Sequence, residues 1–340
     1  MRRELTQREK EVLREVIHDF ILTANPVASK FIAQKQDVNL SPATIRNVMA
    51  QLEEFGYLNH PHTSAGRVPT DKGYRFYLDS LISFDALQEN ERDQIAFGLN
   101  ASLDSSELLS EASKLLGKVS KQLSLVSAPY IGDAILTKIE LMSLNSSKVL
   151  VVISLETGLI KTIVLEVESE VSPHRLKNVN SLLNERLAGL KLSEIRETIV
   201  ERVGDYADEE VISRFTSMSE RIFAAMPETD KVHIGMPQGI LSHPEFELPE
   251  NLKGILEIVG DENVILHILE KSDANEPVTV KVGAENSDEK LKDYSLITAR
   301  YEVGGVKGTV GIVGPRRMQY SRLIPLVDFV AKVISNKLNS

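Results

Sequence analysis

Ser41–Gly73 reads SPATIRNVMAQLEEFGYLNHPHTSAGRVPTDKG, and the fold turns on this stretch. Ser41 is an N-cap residue, and Pro42 suits the first helical turn, where a missing N–H costs nothing. Ile45, Val48, Met49 and Leu52 recur at helical spacing and form one apolar stripe. The opposite face carries Ala43, Arg46, Asn47 and Ala50. That face is small, flat and polar, with two side chains able to hydrogen-bond base edges. Gly56 closes the helix. Tyr57–Leu58, the turn-rich run from His60 to Arg67, and Val68 predict a β-ribbon with Arg67 near its tip. A helix of this kind followed by a cationic ribbon predicts a winged helix-turn-helix, whose recognition helix lies in the major groove. The plain alternative is an amphipathic helix followed by a surface loop.

Upstream, Thr6-Gln7-Arg8-Glu9 fits a capping box, and Val12, Leu13, Val16, Ile17, Phe20 and Ile21 follow with a helical period. Asn25-Pro26 breaks this first helix. A second is predicted around Ala28–Gln36, with Phe31 and Ile32 inward, and Asp37–Leu40 is the turn. Lys72–Ile82 continues from the ribbon as a helix with Tyr74, Tyr77, Leu78 and Leu81 on its apolar side.

The net charge of −10 over 340 residues is unevenly placed. Residues 1–80 hold 11 Lys and Arg against 10 Asp and Glu, so the acidity lies in the remainder of the chain. DNA binding would rest on a few placed cations and would still be steeply salt-dependent. An acidic body discourages indiscriminate coating of DNA. The length predicts two or three domains. The absence of Cys excludes disulfides, thiolate metal sites and a thiol nucleophile, and fits a reducing cytoplasm. No secretory signal or membrane-spanning run is expected.

Ser83–Ser127 reads as helical, with Leu108, Leu109, Ala112, Leu115, Leu116, Val119 and Leu123 at helical spacing. It is expected to connect domains or to form ordinary core. Ile135–Leu144, Lys148–Ser154 and Ile160–Val167 are short β-branched runs separated by turn residues, and so strands. A helix is predicted over Pro173–Leu187. Strand character returns at Val278–Val282, Tyr294–Val303 and Val306–Val313, with Gly304-Gly305 as a hairpin turn. A last helix covers Arg322–Leu338. Strands at both ends with helix-rich material between them predict one sheet interrupted by an insertion. Within 201–275 the expected content is a helix at Asp208–Met226, a strand at Lys231–Met236 and further structure at Asn251–Glu270.

The candidate site follows from this reading. Arg46 and Asn47 are the base readers, since Arg matches the O6/N7 edge of guanine and Asn the N6/N7 edge of adenine. Ala43 and Ala50 give close approach. Ser41 and Thr44 at the helix start, and His62, Thr63, Ser64 and Arg67 on the wing, suit sugar–phosphate contacts. Pairing of Arg46 with Glu53, or simple solvation, is the bland alternative. His60-Pro61-His62 lacks a third metal ligand. The glycines of 304–314 lack the Lys-Ser/Thr of a phosphate loop. Arg316-Arg317 is either an anion or partner contact or a solvated structural turn. No nucleophile with a base, paired carboxylates or metal cluster stands out, so no catalytic residue, metal or cofactor is expected.

Ala43–Leu81 as a whole resembles the signature of the bacterial heat-inducible transcription repressor family HrcA. Gly283–Asn286 together with Gly311–Tyr320 is similar to that family's C-terminal signature, whereas 198–275 matches no pattern. The resemblance implies an α+β multidomain protein. Its parts would be a winged helix-turn-helix at 1–82, a helical connector at 83–128, a GAF-like domain formed by 129–200 with 276–340, and an inserted dimerisation domain at 201–275. It also implies a homodimer on double-stranded DNA at the CIRCE inverted repeat of the groE and dnaK chaperone operons. Transcription would be blocked until heat shock, with the GroE chaperonin as modulator. A regulator sensing a small molecule through the GAF-like domain is the alternative.

Overall fold

The computed structural model describes residues 4–35, 40–61, 66–100, 105–129, 132, 134–156, 158, 160–167, 171–203, 232–236, 240, 243–247, 249–261, 264–265, 268 and 276–339. The chain divides into two compact units. One comprises Met1–Val126, His233–Arg300 and Thr309–Ile334; the other comprises Ser127–Val232, Tyr301–Gly308 and Ser335–Ser340.

In the first unit, α1 (Gln7–Thr23) opens on the expected capping box. The Thr6 N–H donates to Glu9 at 2.7 Å and the Glu9 N–H returns to the Thr6 hydroxyl at 3.3 Å. Val12, Leu13, Val16, Ile17 and Ile21 are buried along one stripe. The helix α2 (Ser29–Ala33) is shorter than Ala28–Gln36. Ile32 is fully buried, but Phe31 is 64% exposed, against the expectation that both face inward. Five residues give barely more than one turn, and successive positions lie about 100° apart, so one turn hides only one of two adjacent apolar side chains.

Next come α3 (Pro42–Glu54), the two-residue strands β1 (Leu58–Asn59) and β2 (Val68–Pro69), and α4 (Asp71–Ser80). The strands pair antiparallel, Leu58 with Pro69 and Asn59 with Val68. Ile45, Val48, Met49 and Leu52 are buried as predicted. Each such burial contributes about 1.5–3 kcal/mol, which is what fixes the helix's rotation. The helices α5 (Glu89–Asn100) and α6 (Ser105–Ser120) follow.

Helical character does not extend to residue 127. Leu123–Ser127 is a strand, β3, buried at all five positions. A strand buried on both faces shows no alternation, and Leu123 continues the Leu116–Val119 period, so the sequence hides it. β3 lies in a five-stranded sheet ordered β7-β3-β10-β9-β8, where β7 is Val232–Gly235, β8 Val278–Val282, β9 Tyr294–Val303 and β10 Val306–Pro315. β10 runs antiparallel to β3 and β8 antiparallel to β9. Further helices among the described residues include Pro249–Gly260 and the long C-terminal helix Tyr320–Leu338.

Several contacts tie α4 to the sheet inside this unit. Arg75 forks onto Glu285, Nε to Oε1 at 2.7 Å, and donates to the Val280 carbonyl at 2.6 Å. The Ala284 N–H donates to Asp71 at 2.9 Å. Arg316 also pairs with Asp71, at 3.2 Å. Arg317 is only 10% exposed, paired with Glu245 and donating to the Ile21 carbonyl. The Arg316-Arg317 turn is therefore part of an ion-pair network, with Arg316 partly solvated and Arg317 nearly buried.

The second unit holds a three-stranded antiparallel sheet, β4 (Leu136–Asn145), β5 (Lys148–Leu155) and β6 (Ile160–Glu166), with α7 (Pro173–Leu187) and α8 (Leu192–Val203). Its strands and α7 fall where the sequence places them. They do not join the sheet of 278–315, and this corrects the expectation of a single sheet formed by 129–200 with 276–340. Among the described residues the chain leaves the five-stranded sheet after Ser127 and is next found in it at Val232. Alternation identifies a strand but says nothing of which strand it pairs with. The expected helix at Asp208–Met226 lies outside the described residues. Asn180 and Asn184 of α7 each bond both the N–H and the C=O of one β4 residue, Leu141 and Ile139 respectively, at 2.7–3.0 Å. They seal an edge that would otherwise be open to strand pairing.

Candidate nucleic-acid interface

Helix α3 is held at both ends. The Ser41 hydroxyl accepts from the Thr44 N–H at 3.1 Å and lies 2.9 Å from the Thr44 hydroxyl. At the other end Gly56 sits at φ +75°, a conformation that side chains disfavour. The Gly56 N–H bonds the Glu53 carbonyl and the Tyr57 N–H the Leu52 carbonyl, both at 2.9 Å, a Schellman closure. Lys72 donates to the Phe55 carbonyl, with its ammonium 4.3 Å from the Tyr57 ring centre. Thr70 caps α4 and donates to the Gly56 carbonyl at 2.7 Å. The end of α3, the ribbon and the start of α4 are thus one bonded assembly.

The orientation of α2 is fixed by Lys35, which bonds Glu15 at 2.9 Å and Asp19 at 2.5 Å on α1. Burial alone would lower the lysine's pKa, but the bonds to Asp19 and Glu15 prevail and raise it.

Ala43, Arg46, Asn47 and Ala50 are exposed on the face away from the core, with Ser41 exposed at the helix start and Thr44 half-buried. No hydrogen bond or ion pair engages the Arg46 or Asn47 side chain among the described residues. Glu53, the feared partner of Arg46, is instead engaged by Arg67. Gln51 and Glu54 extend the same exposed face toward the helix C-terminus, and the sequence reading missed them. The signal was present, since 43, 47, 50 and 54 continue one i, i+3/i+4 row.

The wing departs from expectation. His62, Thr63 and Ser64 lie outside the described residues. Arg67 lies one position beyond the Asn59–Val68 pair, on the loop side of the ribbon and opposite His60. Its backbone makes two 2.9 Å hydrogen bonds with Val27, and its Nε lies 2.8 Å from a Glu53 carboxylate oxygen. That approach is an ion pair, because the Nε–H is not aligned on the oxygen as a hydrogen bond would be. Its Nη1 lies 2.6 Å from His60 Nδ1.

The first unit also contains a half-open cavity of about 320 Å³ lined by Phe20, Val68, Tyr74, Phe246, Arg316 and Arg317, among others. Both arginines are already paired with acids. The Tyr74 hydroxyl is buried with no hydrogen-bond partner among the described residues, and burial pushes its pKa well up. Among the described residues no group of three or more His, Asp or Glu is placed to hold a metal. No helix among them is long and apolar enough to cross a membrane.

Comparison with known proteins accords with this geometry. Residues 4–80 match the family described as "Winged helix-turn-helix transcription repressor, HrcA DNA-binding", and residues 106–324 match "HrcA protein C terminal domain". The chain is 39% identical over 342 residues to the heat-inducible transcription repressor HrcA of Chlorobium chlorochromatii, covering 99% of this chain and 98% of that one. It is 37% identical over 348 residues to the Chlorobium phaeobacteroides (strain BS1) protein of the same name, covering 99% of each chain. The Syntrophobacter fumaroxidans protein of that name is 36% identical over 340 residues, 98% of each chain. A crystal structure titled only as that of a hypothetical protein shares the fold, with a TM-score of 0.60 at 21% identity over 99% of both chains. With a winged-helix match at one end, a C-terminal-domain match over most of the rest and relatives above 30% identity from end to end, the chain belongs to the HrcA family of heat-inducible transcription repressors, which are not enzymes.

Proposed function

We propose that this chain represses transcription of the groE and dnaK chaperone operons by occupying the CIRCE inverted repeat as a homodimer. The observation that carries this reading is the outer face of α3, where Arg46 and Asn47 are exposed between Ala43 and Ala50 with no intramolecular partner among the described residues. Arg46 reads a guanine edge and Asn47 an adenine edge; the alanines let the helix seat deeply in the major groove. Ser41 and Thr44 hold a backbone phosphate at the helix N-terminus, where unpaired N–H groups and the helix dipole favour an anion. His62, Thr63 and Ser64 contact the adjoining backbone from the wing.

An inverted repeat calls for a two-fold protein. The exposed face of the β4–β5–β6 sheet supports a homodimer that uses this sheet. Met142 pairs with Leu150 and Leu150 with Val164, making an apolar row, and Met142, Leu144, Ile160 and Val164 are each about half exposed or more. The GroE chaperonin maintains the folded repressor, and heat diverts it. A marginally stable repressor is sufficient for such a switch, since 1–2 kcal/mol changes the folded fraction several-fold. The protein acts in the cytoplasm at the nucleoid.

The test is a gel-shift titration of the full chain against a duplex carrying the inverted repeat and a scrambled duplex of equal length. The repeat binds at least about 10³-fold tighter on this reading. Equal affinity for both duplexes would refute it.

A further inference from the structure

We infer that Arg67 is a positioning residue that sets the angle of the wing against the recognition helix, rather than a phosphate contact. The inference rests on the DNA-binding reading above and deepens it.

Four observations meet at this side chain. Its own backbone is fixed, because the Arg67 N–H and C=O both bond Val27, the residue that leads into α2. The two backbones approach so closely that a Cβ on Gly66 would lie 2.2 Å from the Val27 carbonyl oxygen, so the contact needs glycine there. Its guanidinium reaches back to Glu53 in the last turn of α3, 2.8 Å away. The same guanidinium reaches across the ribbon to His60 Nδ1 at 2.6 Å. An arginine has no acceptor, so Nδ1 must be the bare nitrogen and the imidazole proton sits on Nε2. One side chain therefore joins the recognition helix to both arms of the wing, and its backbone joins the wing to the helix-turn-helix.

The electrostatics agree. The Arg67 side chain is 21% exposed and Glu53 33% exposed. A half-buried carboxylate neutralises this cation before DNA arrives. Seating a phosphate there would break the pair and desolvate Glu53 next to an anionic backbone, which is unfavourable. A planar fork suits this bridging role, and lysine, a point charge, cannot serve two directions at once.

The two roles predict opposite signs for one substitution. Should Arg67 serve phosphate, Glu53 is merely a competitor, and Glu53→Gln would strengthen binding by freeing the cation and removing a negative charge near DNA. As a positioning pair, Glu53→Gln weakens binding although the chain becomes less acidic. The experiment is a fluorescence-anisotropy titration of the full-length chain on a duplex carrying the inverted repeat, at several salt concentrations. The variants are Glu53→Gln, Arg67→Ala, Arg67→Lys and the double variant Glu53→Gln/Arg67→Ala, each checked by thermal melt.

The expected result is a loss of roughly three- to tenfold for each single variant, with the double variant no worse than Arg67→Ala, as coupled neighbours behave. Arg67→Lys fails to restore affinity, and the log-affinity against log-salt slope of Arg67→Ala equals that of the wild type. Stronger binding by Glu53→Gln, rescue by Arg67→Lys, or a slope shallower by about 1 would each overturn the proposal, the last being the mark of one lost phosphate contact. Should Arg67→Ala fail to fold, the sign of the isosteric Glu53→Gln effect decides alone. A wild-type chain that does not prefer the repeat over a scrambled duplex would refute the functional reading itself. Wild-type preference with a strengthened Glu53→Gln would refute only the positioning role.

Discussion

The outer face of α3 and the outer face of the β4–β5–β6 sheet are both exposed, yet they are covered by opposite materials. The first presents Ala43, Arg46, Asn47 and Ala50, all small or hydrogen-bonding. The second presents Met142, Leu150 and Val164 in one cross-strand row, with Leu144 and Ile160 near by along the strands. Each face is turned outward because the other side of its element is committed to a core: Ile45, Val48, Met49 and Leu52 in the helix, Ile139, Leu141, Val151 and Ile153 in the sheet. Burial explains the inward sides completely and the outward sides not at all. A polar face without internal partners suits a wet, charged surface such as DNA. An apolar row of this kind remains unfavourable in water until another apolar surface covers it.

Salt separates the two faces most strongly. Raising it from 50 to 200 mM is expected to weaken operator binding by about 10³-fold or more if six or more phosphates are neutralised. Self-association measured by sedimentation over the same range is expected to stay level or strengthen, because apolar burial is not screened. Parallel weakening of both would show that the sheet face is held by charge. Next in size, Arg46→Ala and Asn47→Ala are each expected to cost roughly 10- to 100-fold in preference for operator over scrambled duplex. Sedimentation should show the dimer unchanged in both.

The converse substitutions target the sheet. Met142→Glu with Val164→Glu is expected to weaken self-association by at least roughly tenfold, since a carboxylate in an apolar contact must be desolvated. The chain should keep its melting temperature within a few degrees, both side chains being already about half exposed. An unchanged dimer would move the interface elsewhere. The smallest effect is expected from Ala50→Leu, which adds bulk to the flat face of α3. Leucine is nearly as good a helix former as alanine, so stability should stay within about 0.5 kcal/mol. Operator affinity should fall several-fold, measured by the same anisotropy titration. Undiminished binding would mean that this part of the helix does not approach the duplex closely.

Much of this was legible in the sequence wherever the cause is local. The Thr6–Glu9 capping box, the Ser41 cap, the Gly56 stop and the buried stripe of α3 depend on residues three or four apart, and all appear as read. The strands at 136–166 and the helix at 173–187 were equally plain from period and turn residues. What failed was non-local. Nothing in Leu123–Ser127 says that it will be flanked by β7 and β10 from more than a hundred residues downstream. Nothing near Phe31 says that α2 is too short to hide it. The partners of Arg67 were hidden for the same reason: its neighbours in the chain are turn residues, while Glu53, His60 and Val27 are brought to it by the fold. Arg46 and Asn47 are exposed as expected because a helix face is a local property.

The central claim is that the outer face of α3 enters the major groove of each arm of the inverted repeat. Dimethyl sulfate footprinting of that repeat with the full-length chain tests it directly, because the reagent methylates guanine N7 in the major groove and adenine N3 in the minor groove. The account predicts protection of guanine N7 within both arms, lost in Arg46→Ala. Protection confined to adenine N3, or guanine N7 reactivity unchanged by saturating protein, would contradict it.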